Sequence, residues 1–332
     1  MSTTGPILVT GGAGFIGSHL VDQLIERGER VVVVDDLSTG SEANLRGARA
    51  VGGDRLRFIR ATVSDVARSE LPEAPSRIFH LAAAVGVRRV MEQPVQSIET
   101  NVVETSAALR IARRYRAPIL LASSSEVYGK ASKLPFAEGD DVVYGPTGVV
   151  RWSYGCAKAL DEWLGLAAWR EHGLPVVVAR IFNTVGPRQL GCWGMVLPRF
   201  VEAAIAGRPL EIHGDGLQSR CFADVRDVVQ ALDALLASPQ AAGGVFNVGS
   251  DEPITIRALA ERVIRQLKSG SALVHLPYET AYGPGFEDLR ARQPDLTRIR
   301  RCIAFAPRIG LDQTIADLAR AMQAGAAQGE AA

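Results

Sequence analysis

The stretch Ile7-Leu8-Val9-Thr10-Gly11-Gly12-Ala13-Gly14-Phe15-Ile16-Gly17 constrains the fold of this chain more than any other. A short aliphatic run enters three glycines spaced three apart: Gly11, Gly14 and Gly17. Behind them Ile16, Leu20 and Leu24 recur every four residues, with Val21 and Ile25 alongside, which is the apolar stripe of a helix. Each glycine has its own task in such a unit. Gly11 permits a tight turn, Gly14 lets backbone approach a pyrophosphate, and Gly17 lets helix and strand pack closely. The phosphates then meet the unpaired N–H groups at the positive end of the helix.

The context supports this reading. Val31-Val32-Val33-Val34 forms a second buried strand, and Asp35 stands at its end, where an acidic residue accepts hydrogen bonds from the adenosine ribose. A carboxylate there repels the additional phosphate of NADP, so NAD is the expected cofactor.

At 332 residues, 47% of them hydrophobic, the chain can build one large or two closely packed domains. A net charge of +1 with scattered basic residues argues against a nucleic-acid role. Neither a membrane-length apolar stretch nor a secretion signal is present in the sequence as read, and Cys156, Cys192, Cys221 and Cys302 form no CxxC pair. Free thiols in a cytoplasmic protein are therefore expected. The five histidines make no ligand cluster, so no metal is expected.

Strands are expected at 56–59, 78–83, 119–123 and 176–180, with helical segments between them, such as Asn101–Tyr115. Alternating strands and helices predict an α/β fold, a doubly wound parallel (Rossmann) sheet with its site at the carboxyl ends of the strands. Beyond Asn183 the pattern becomes irregular and richer in glycine and proline, ending on the helical stripe Leu311, Ile315, Leu318, Met322. Residues 1–182 are thus expected to form the NAD-binding domain. A smaller α/β substrate domain, interleaved with the first, is expected at 183–332, with residues 323–332 frayed.

Two stretches carry the chemistry. Ser123-Ser124-Ser125-Glu126-Val127-Tyr128-Gly129 closes the fifth strand, and Tyr154-Gly155-Cys156-Ala157-Lys158 opens an amphipathic helix. A spacing of four puts Tyr154 and Lys158 on one helix face. A phenol with a pKa of about 10 is a poor base at neutral pH. A nearby ammonium and a positive nicotinamide ring both favour the phenolate. Tyr154 would then take the proton of a sugar hydroxyl held by Ser124, while hydride leaves the same carbon. His80 reads as a core residue at a strand end rather than a base.

On these residues the chain resembles the extended short-chain dehydrogenases/reductases that act on nucleotide sugars. The resemblance runs from the glycine loop through His80-Leu81-Ala82-Ala83, the serine stretch, YxxxK and Asn183-Thr184-Val185-Gly186-Pro187-Arg188 to Arg220. It implies a small UDP-sugar substrate and a homodimer, with Leu160, Leu164 and Ala167 at a four-helix contact. It also implies that the NAD site includes Gly11, Gly14, Phe15, Ile16, Gly17, Asp35, Leu81, Ala82, Ala83, Asn101, Ser123, Tyr154 and Lys158. The substrate side comprises Arg88, Ser124, Ser125, Asn183, Arg188, Val196, Arg220, Tyr282 and Arg292, with Asn183 and Arg220 on the diphosphate. An arginine suits phosphate because its charge is permanent and its donors form a fork. Thr62 departs from the family, which often has an aspartate touching adenine at that position.

The reaction is the finer question. Glu126 after Ser124-Ser125 is similar to UDP-glucuronate decarboxylases, as are Arg151-Trp152-Ser153-Tyr154 and Tyr282-Gly283-Pro284-Gly285-Phe286-Glu287-Asp288 followed by Arg292. The resemblance makes Ser124, Glu126, Tyr154, Lys158 and Arg292 catalytic, with Arg292 near the sugar carboxylate and Arg292 or Glu126 assisting protonation of C5. Gly86-Val87-Arg88 looks instead like a loop of UDP-glucuronate 4-epimerases, and Val90 stands where decarboxylases tend to carry a tyrosine. Decarboxylation of UDP-glucuronate to UDP-xylose or its 4-keto form is the first expectation. 4-Epimerisation of UDP-glucuronate or UDP-glucose is the alternative, and a non-catalytic NAD-binding regulator is the third reading.

Overall fold

A computed structural model describes residues 5–283 and 287–327. Seven parallel strands form the central sheet: β1 (Ile7–Thr10), β2 (Val31–Asp35), β3 (Leu56–Arg60), β4 (Arg77–His80), β5 (Ile119–Ser124), β6 (Val176–Ile181) and β7 (Val245–Val248). Their spatial order is β7-β6-β5-β4-β1-β2-β3. Side chains alternate faces along each strand. Ile7, Val9, Val31, Val33 and Phe79 enter one apolar cluster, whereas Leu8, Val34, Ile78, Ile119 and Leu121 enter another. Burial of both faces is why these strands read as nearly continuous apolar runs.

The helices that concern the site are α1 (Phe15–Glu26), α2 (Pro94–Tyr115), α3 (Ser153–His172), α4 (Val196–Ile205), α5 (Val225–Ala237), α6 (Ile256–Leu267) and α7 (Leu311–Ala327). Leu20, Val21 and Leu24 of α1 and Val228, Leu232 and Leu235 of α5 cover one face of the sheet. Ala107, Ala108 and Ile111 of α2 with Ala168 of α3 cover the other. The sheet order reverses between β1 and β4, and Thr10 at the carboxyl end of β1 pairs with Val34 of β2 on one side and His80 of β4 on the other. Ligands of such folds bind in the crevice at that reversal.

Helices α4, α6 and α7 pack together through Leu197, Phe200, Leu259, Val263, Ile315 and Leu318, a separate core around the strand Leu210–His213. Between the two cores lies a three-stranded sheet. In it Ser219–Cys221 pairs antiparallel with Pro253–Thr255 and parallel with Ala291–Arg292. That register sets Arg292 beside Arg220, residues far apart in sequence. The chain beyond 183 also re-enters the main sheet, where Val245 of β7 pairs with Val178 of β6. Residues 323–327, expected to fray, continue α7, and 328–332 lie outside the described residues. Among the described residues no helix is long and apolar enough to cross a membrane.

Candidate active site

The carboxyl ends of β1, β2, β4 and β5 open into a long cleft that continues toward α4 and the three-stranded sheet. Its first section is the glycine turn. Gly11 has φ +69°, and a Cβ there would lie 2.6 Å from the backbone nitrogen of Ala82. A Cβ on Gly17 would lie 2.1 Å from the carbonyl oxygen of Gly11. Gly14 is different: its Cβ would meet only the Gly11 carbonyl, at 3.2 Å, so what its missing side chain keeps clear is the cleft. The first N–H groups of α1 have no intrahelical partner and open onto that clearance. Asp35 Oδ2 accepts from the Ala13 N–H at 2.9 Å and Oδ1 from the Leu37 N–H at 2.8 Å, fixing the carboxylate against the glycine loop. Burial pushes the Asp35 carboxyl up, and those N–H groups oppose the shift. An open phosphate cradle followed by a fixed acid fits the pyrophosphate and the adenosine ribose of an adenine dinucleotide.

Phe15, Ile16, Leu81, Ala82, Ala83 and Ser123 line the same section. Asn101 and Lys158 do not; they act from behind it. Asn101 Oδ1 accepts from the Ala84 N–H at 3.1 Å and its Nδ2 donates to Ser97 O at 2.8 Å, pinning the loop after β4. Ser123 Oγ donates to Glu162, whose two oxygens also take the guanidinium of Arg180. Thr62 caps the helix Val63–Arg68 and lines the cleft.

The second section holds the reactive groups. Ser124 hydrogen-bonds the Tyr154 phenol and accepts from the Glu126 N–H at 3.2 Å. Lys158 is buried and donates to Asp161 Oδ2 at 2.8 Å. Lys158 is not among the groups that act most strongly on the phenol. Burial pushes Tyr154 well above the usual phenol range, Glu126 and Asp161 add to that, and Ser124 and Arg151 only partly offset it. The Lys158 ammonium is itself paired with Asp161. A hydrogen-bonded chain continues behind it: Asp161 to Thr105, Thr105 Oγ1 to His80 Nε2 at 3.2 Å, and His80 Nδ1 to Thr10 Oγ1 at 2.8 Å. Burial and the charge of Lys158 push His80 down to about 3, so it is a neutral core residue.

Glu126 receives a bidentate fork from Arg151, with contacts of 2.8 and 3.0 Å, and a further contact from Arg292. Burial alone would raise its carboxyl, but Arg292 and Arg151 together hold it well below the usual carboxylate range. In this arrangement Glu126 is the ionised partner of both arginines. Asp288 bridges onward, accepting from Arg292 at 3.4 Å and from Arg220 at 2.8 Å.

Ser125, Asn183, Val196, Arg220, Tyr282 and Arg292 all line this section. Arg188, expected on the substrate, does not. Its guanidinium meets Asp22 at 2.6 Å and Ser18 Oγ at 3.1 Å on α1, tying the loop after β6 to the glycine-loop helix. The Arg88 side chain lies outside the described residues; only its helical backbone is described. Sequence reasoning gave no role to Arg151 or Asp288. The signal for Arg151 was its spacing, one helical turn before Tyr154. Asp288 has Arg292 four residues on, a spacing that could have pointed to it, but its bond to Arg220 is visible only in the fold.

A family model described as the NAD dependent epimerase/dehydratase family matches residues 7–249. The chain belongs to this family. Relatives of this epimerase/dehydratase family member include the UDP-N-acetyl-alpha-D-glucosaminuronate decarboxylase of Bacillus cytotoxicus. It is 39% identical over 308 residues, spanning 92% of this chain and 94% of the relative. UDP-glucuronic acid decarboxylase 1 of Arabidopsis thaliana is 37% identical, spanning 92% and 67%. Among solved structures, the UDP-glucose 4-epimerase of Thermotoga maritima with UDP-glucose superposes with a TM-score of 0.85 at 29% identity, covering 97% of this chain and 99% of that one. A dTDP-glucose 4,6-dehydratase of Streptomyces venezuelae, solved with NAD, gives 0.86 at 27% identity, covering 97% and 98%.

Proposed function

We propose that this family member is an NAD-dependent UDP-hexuronate decarboxylase, taking UDP-glucuronate or its 2-acetamido counterpart to the UDP-pentose or its 4-keto form. The observation that carries this reading is the buried meeting of Arg292, Arg151 and Glu126 beside Ser124 and Tyr154, a cationic site next to the phenol. The names of the two decarboxylase relatives support it. NAD, when bound along the glycine turn, supplies reversible oxidation at C4, which makes the C6 carboxylate a β-keto acid that loses carbon dioxide readily.

The residues do the rest. Ser124 holds the C4 hydroxyl and Tyr154 takes its proton. That transfer needs the phenol lowered from its ligand-free state, which a cation close to it would do. Arg292 faces the sugar acid, Arg220 and Asn183 the diphosphate, and the ionised Glu126 stays a counter-ion.

Incubation with UDP-glucuronate should release carbon dioxide with formation of UDP-xylose or its 4-keto form, followed by NMR. UDP-2-acetamido-glucuronate, run in parallel, reads the C2 preference. Recovery of UDP-galacturonate alone would overturn the decarboxylase and establish the 4-epimerase, the reading that the UDP-glucose 4-epimerase likeness favours. We also infer a cytoplasmic homodimer through α2 and α3. These helices carry exposed Val103, Leu160 and Trp163, the last with 59% of its surface open.

A further inference from the structure

We propose that Asp161 is a positioning residue of the reaction: it keeps the Lys158 ammonium occupied, leaving the charge of the cofactor to switch Tyr154 between acid and base. The inference rests on Tyr154 as the proton acceptor, the part of the proposed function that decarboxylation and 4-epimerisation share.

The first ground is the pair itself. Lys158 and Asp161 stand three residues apart on α3, with side chains 3% and 2% exposed and the ammonium 2.8 Å from Oδ2. Taking two charges out of water is costly unless each answers the other. At a third group the two charges act with opposite sign and largely cancel. A lone ammonium in the same place would act on the phenol in full.

The second ground is the direction of the hydrogen bonds behind the pair. The Ala82 N–H donates to Thr10 Oγ1 at 3.4 Å, which leaves the threonine proton for His80 Nδ1 at 2.8 Å. His80 is neutral, so its proton is on Nε2 and is donated to Thr105 Oγ1 at 3.2 Å. Thr105 then has its own hydroxyl proton for Asp161. Every donor in the row points toward the carboxylate, which suits the ionised form. The far end is a backbone amide that cannot pass a proton on. The row therefore fixes Asp161 in place and is no route for protons.

The third ground is what else faces the phenol. Glu126, on the turn after β5, and Asp161, on α3, oppose its ionisation, whereas the Ser124 hydroxyl and Arg151 favour it. Arg151 is itself paired with Glu126, and Glu162 of α3 with Arg180 of β6. From β4 comes only the neutral His80, and from α2 only the hydroxyl of Thr105. None of these groups is an unpaired cation next to Tyr154.

The pairing has a use. A phenol that takes a proton when C4 is oxidised has to give it back when C4 is reduced. A bare lysine beside it would favour the phenolate at both stages. With Lys158 occupied, the charge that changes between the stages is that of the nicotinamide ring, positive only when oxidised. Tyr154 is then the stronger base when hydride is to leave the sugar and the stronger acid when hydride is to return.

The test is an NMR titration of Tyr154 in the full chain loaded with oxidised or reduced cofactor, the ring labelled at Cζ and the resonance assigned by its loss in Tyr154→Phe. In the parent, Tyr154 should still be a phenol with reduced cofactor at the pH where it is half ionised with oxidised cofactor. Asp161→Asn, which keeps a partner for Thr105 and frees the ammonium, should raise the ionisation constant of the phenol about tenfold or more. Combining Asp161→Asn with Lys158→Met removes both charges and should return the constant to within about twofold of the parent. The inference fails if either variant falls outside these bounds, or if the parent titrates alike with both forms of the cofactor. Should Asp161→Asn not fold, the double variant decides alone, because a lysine that acts on the phenol in spite of its partner would be missed there. No substrate enters the titration, so UDP-glucuronate that loses no carbon dioxide would overturn the decarboxylase reading and leave this result standing. A Tyr154→Phe chain that still turns over would remove the base, and the inference with it, whatever the titration gives.

Discussion

Tyr154 is half-buried and held protonated by its surroundings, so in this state it is a poised acid rather than a base. Replacing it with Phe removes the proton acceptor while keeping the ring, and turnover should fall by about 10²-fold or more with bound NAD unchanged. Retained turnover would remove the phenol from the mechanism. His80 makes a different prediction, about stability. The unfolded chain takes up a proton near the ordinary value of 6.5, whereas the folded residue does so only near 3. Between those values the unfolded state holds more protons, so stability falls as pH falls through that window. Glu126 acts in the same direction below its ordinary value of 4.5, because the folded group stays ionised there. Urea midpoints should therefore decline from pH 6.5 downward. In His80→Gln, whose amide can still bond Thr10 and Thr105, the decline between pH 6.5 and 4.5 should be shallower, the remainder coming from His213 and His19, which burial also pushes down. An unaltered curve would mean that the histidine does not set the acid limb.

Local elements were legible in the sequence where one stretch contained its own reasons. The glycine turn is the clearest case, since Gly11 needs its left-handed backbone and Gly17 its close contact whatever the rest of the chain does. Gly17→Ala would push a methyl into the Gly11 carbonyl. Overpacking of that kind costs about 1–3 kcal/mol, and NAD affinity should drop with it, as read by thermal unfolding with and without NAD; an unshifted midpoint would mean the turn has room to relax. Elements fixed by distant partners were not legible. The four-residue β7 is too short to identify by pattern, and only its register with β6 makes it part of the sheet. Helix α2 starts at Pro94, seven residues before the expected Asn101, because proline suits a first turn while the polar residues after it gave no apolar stripe. Arg188 sits in a family motif, yet Asp22 and Ser18 of α1 decide what it does. Lys158 was placed correctly on the helix, but its charge is answered by Asp161, one turn further on.

At the scale of the whole molecule, α2 and α3 are where the chain departs from a closed globule. Each buries one side against the sheet through alanines, so the two helices lie close to it and to each other. Their outward residues include Val95, Ile98 and Val103 on α2 and Leu160 and Trp163 on α3, all exposed. Scattered exposed aliphatics are ordinary, but several on two adjacent helices, with a tryptophan among them, form a surface that association would cover. Two such helices from each of two copies related by a twofold axis would make a self-complementary contact. Tyr154 and Lys158 lie on α3 itself, so the same contact would brace the helix that carries the phenol. Trp163→Glu puts a charge at the centre of that surface without touching the cleft. Light scattering should then give a monomer where the parent gives a dimer, and turnover per chain should fall, because the α3 that holds Tyr154 loses its brace. A parent already monomeric at micromolar concentration would refute the homodimer. A dimer unaffected by the charge would move the interface elsewhere on the molecule.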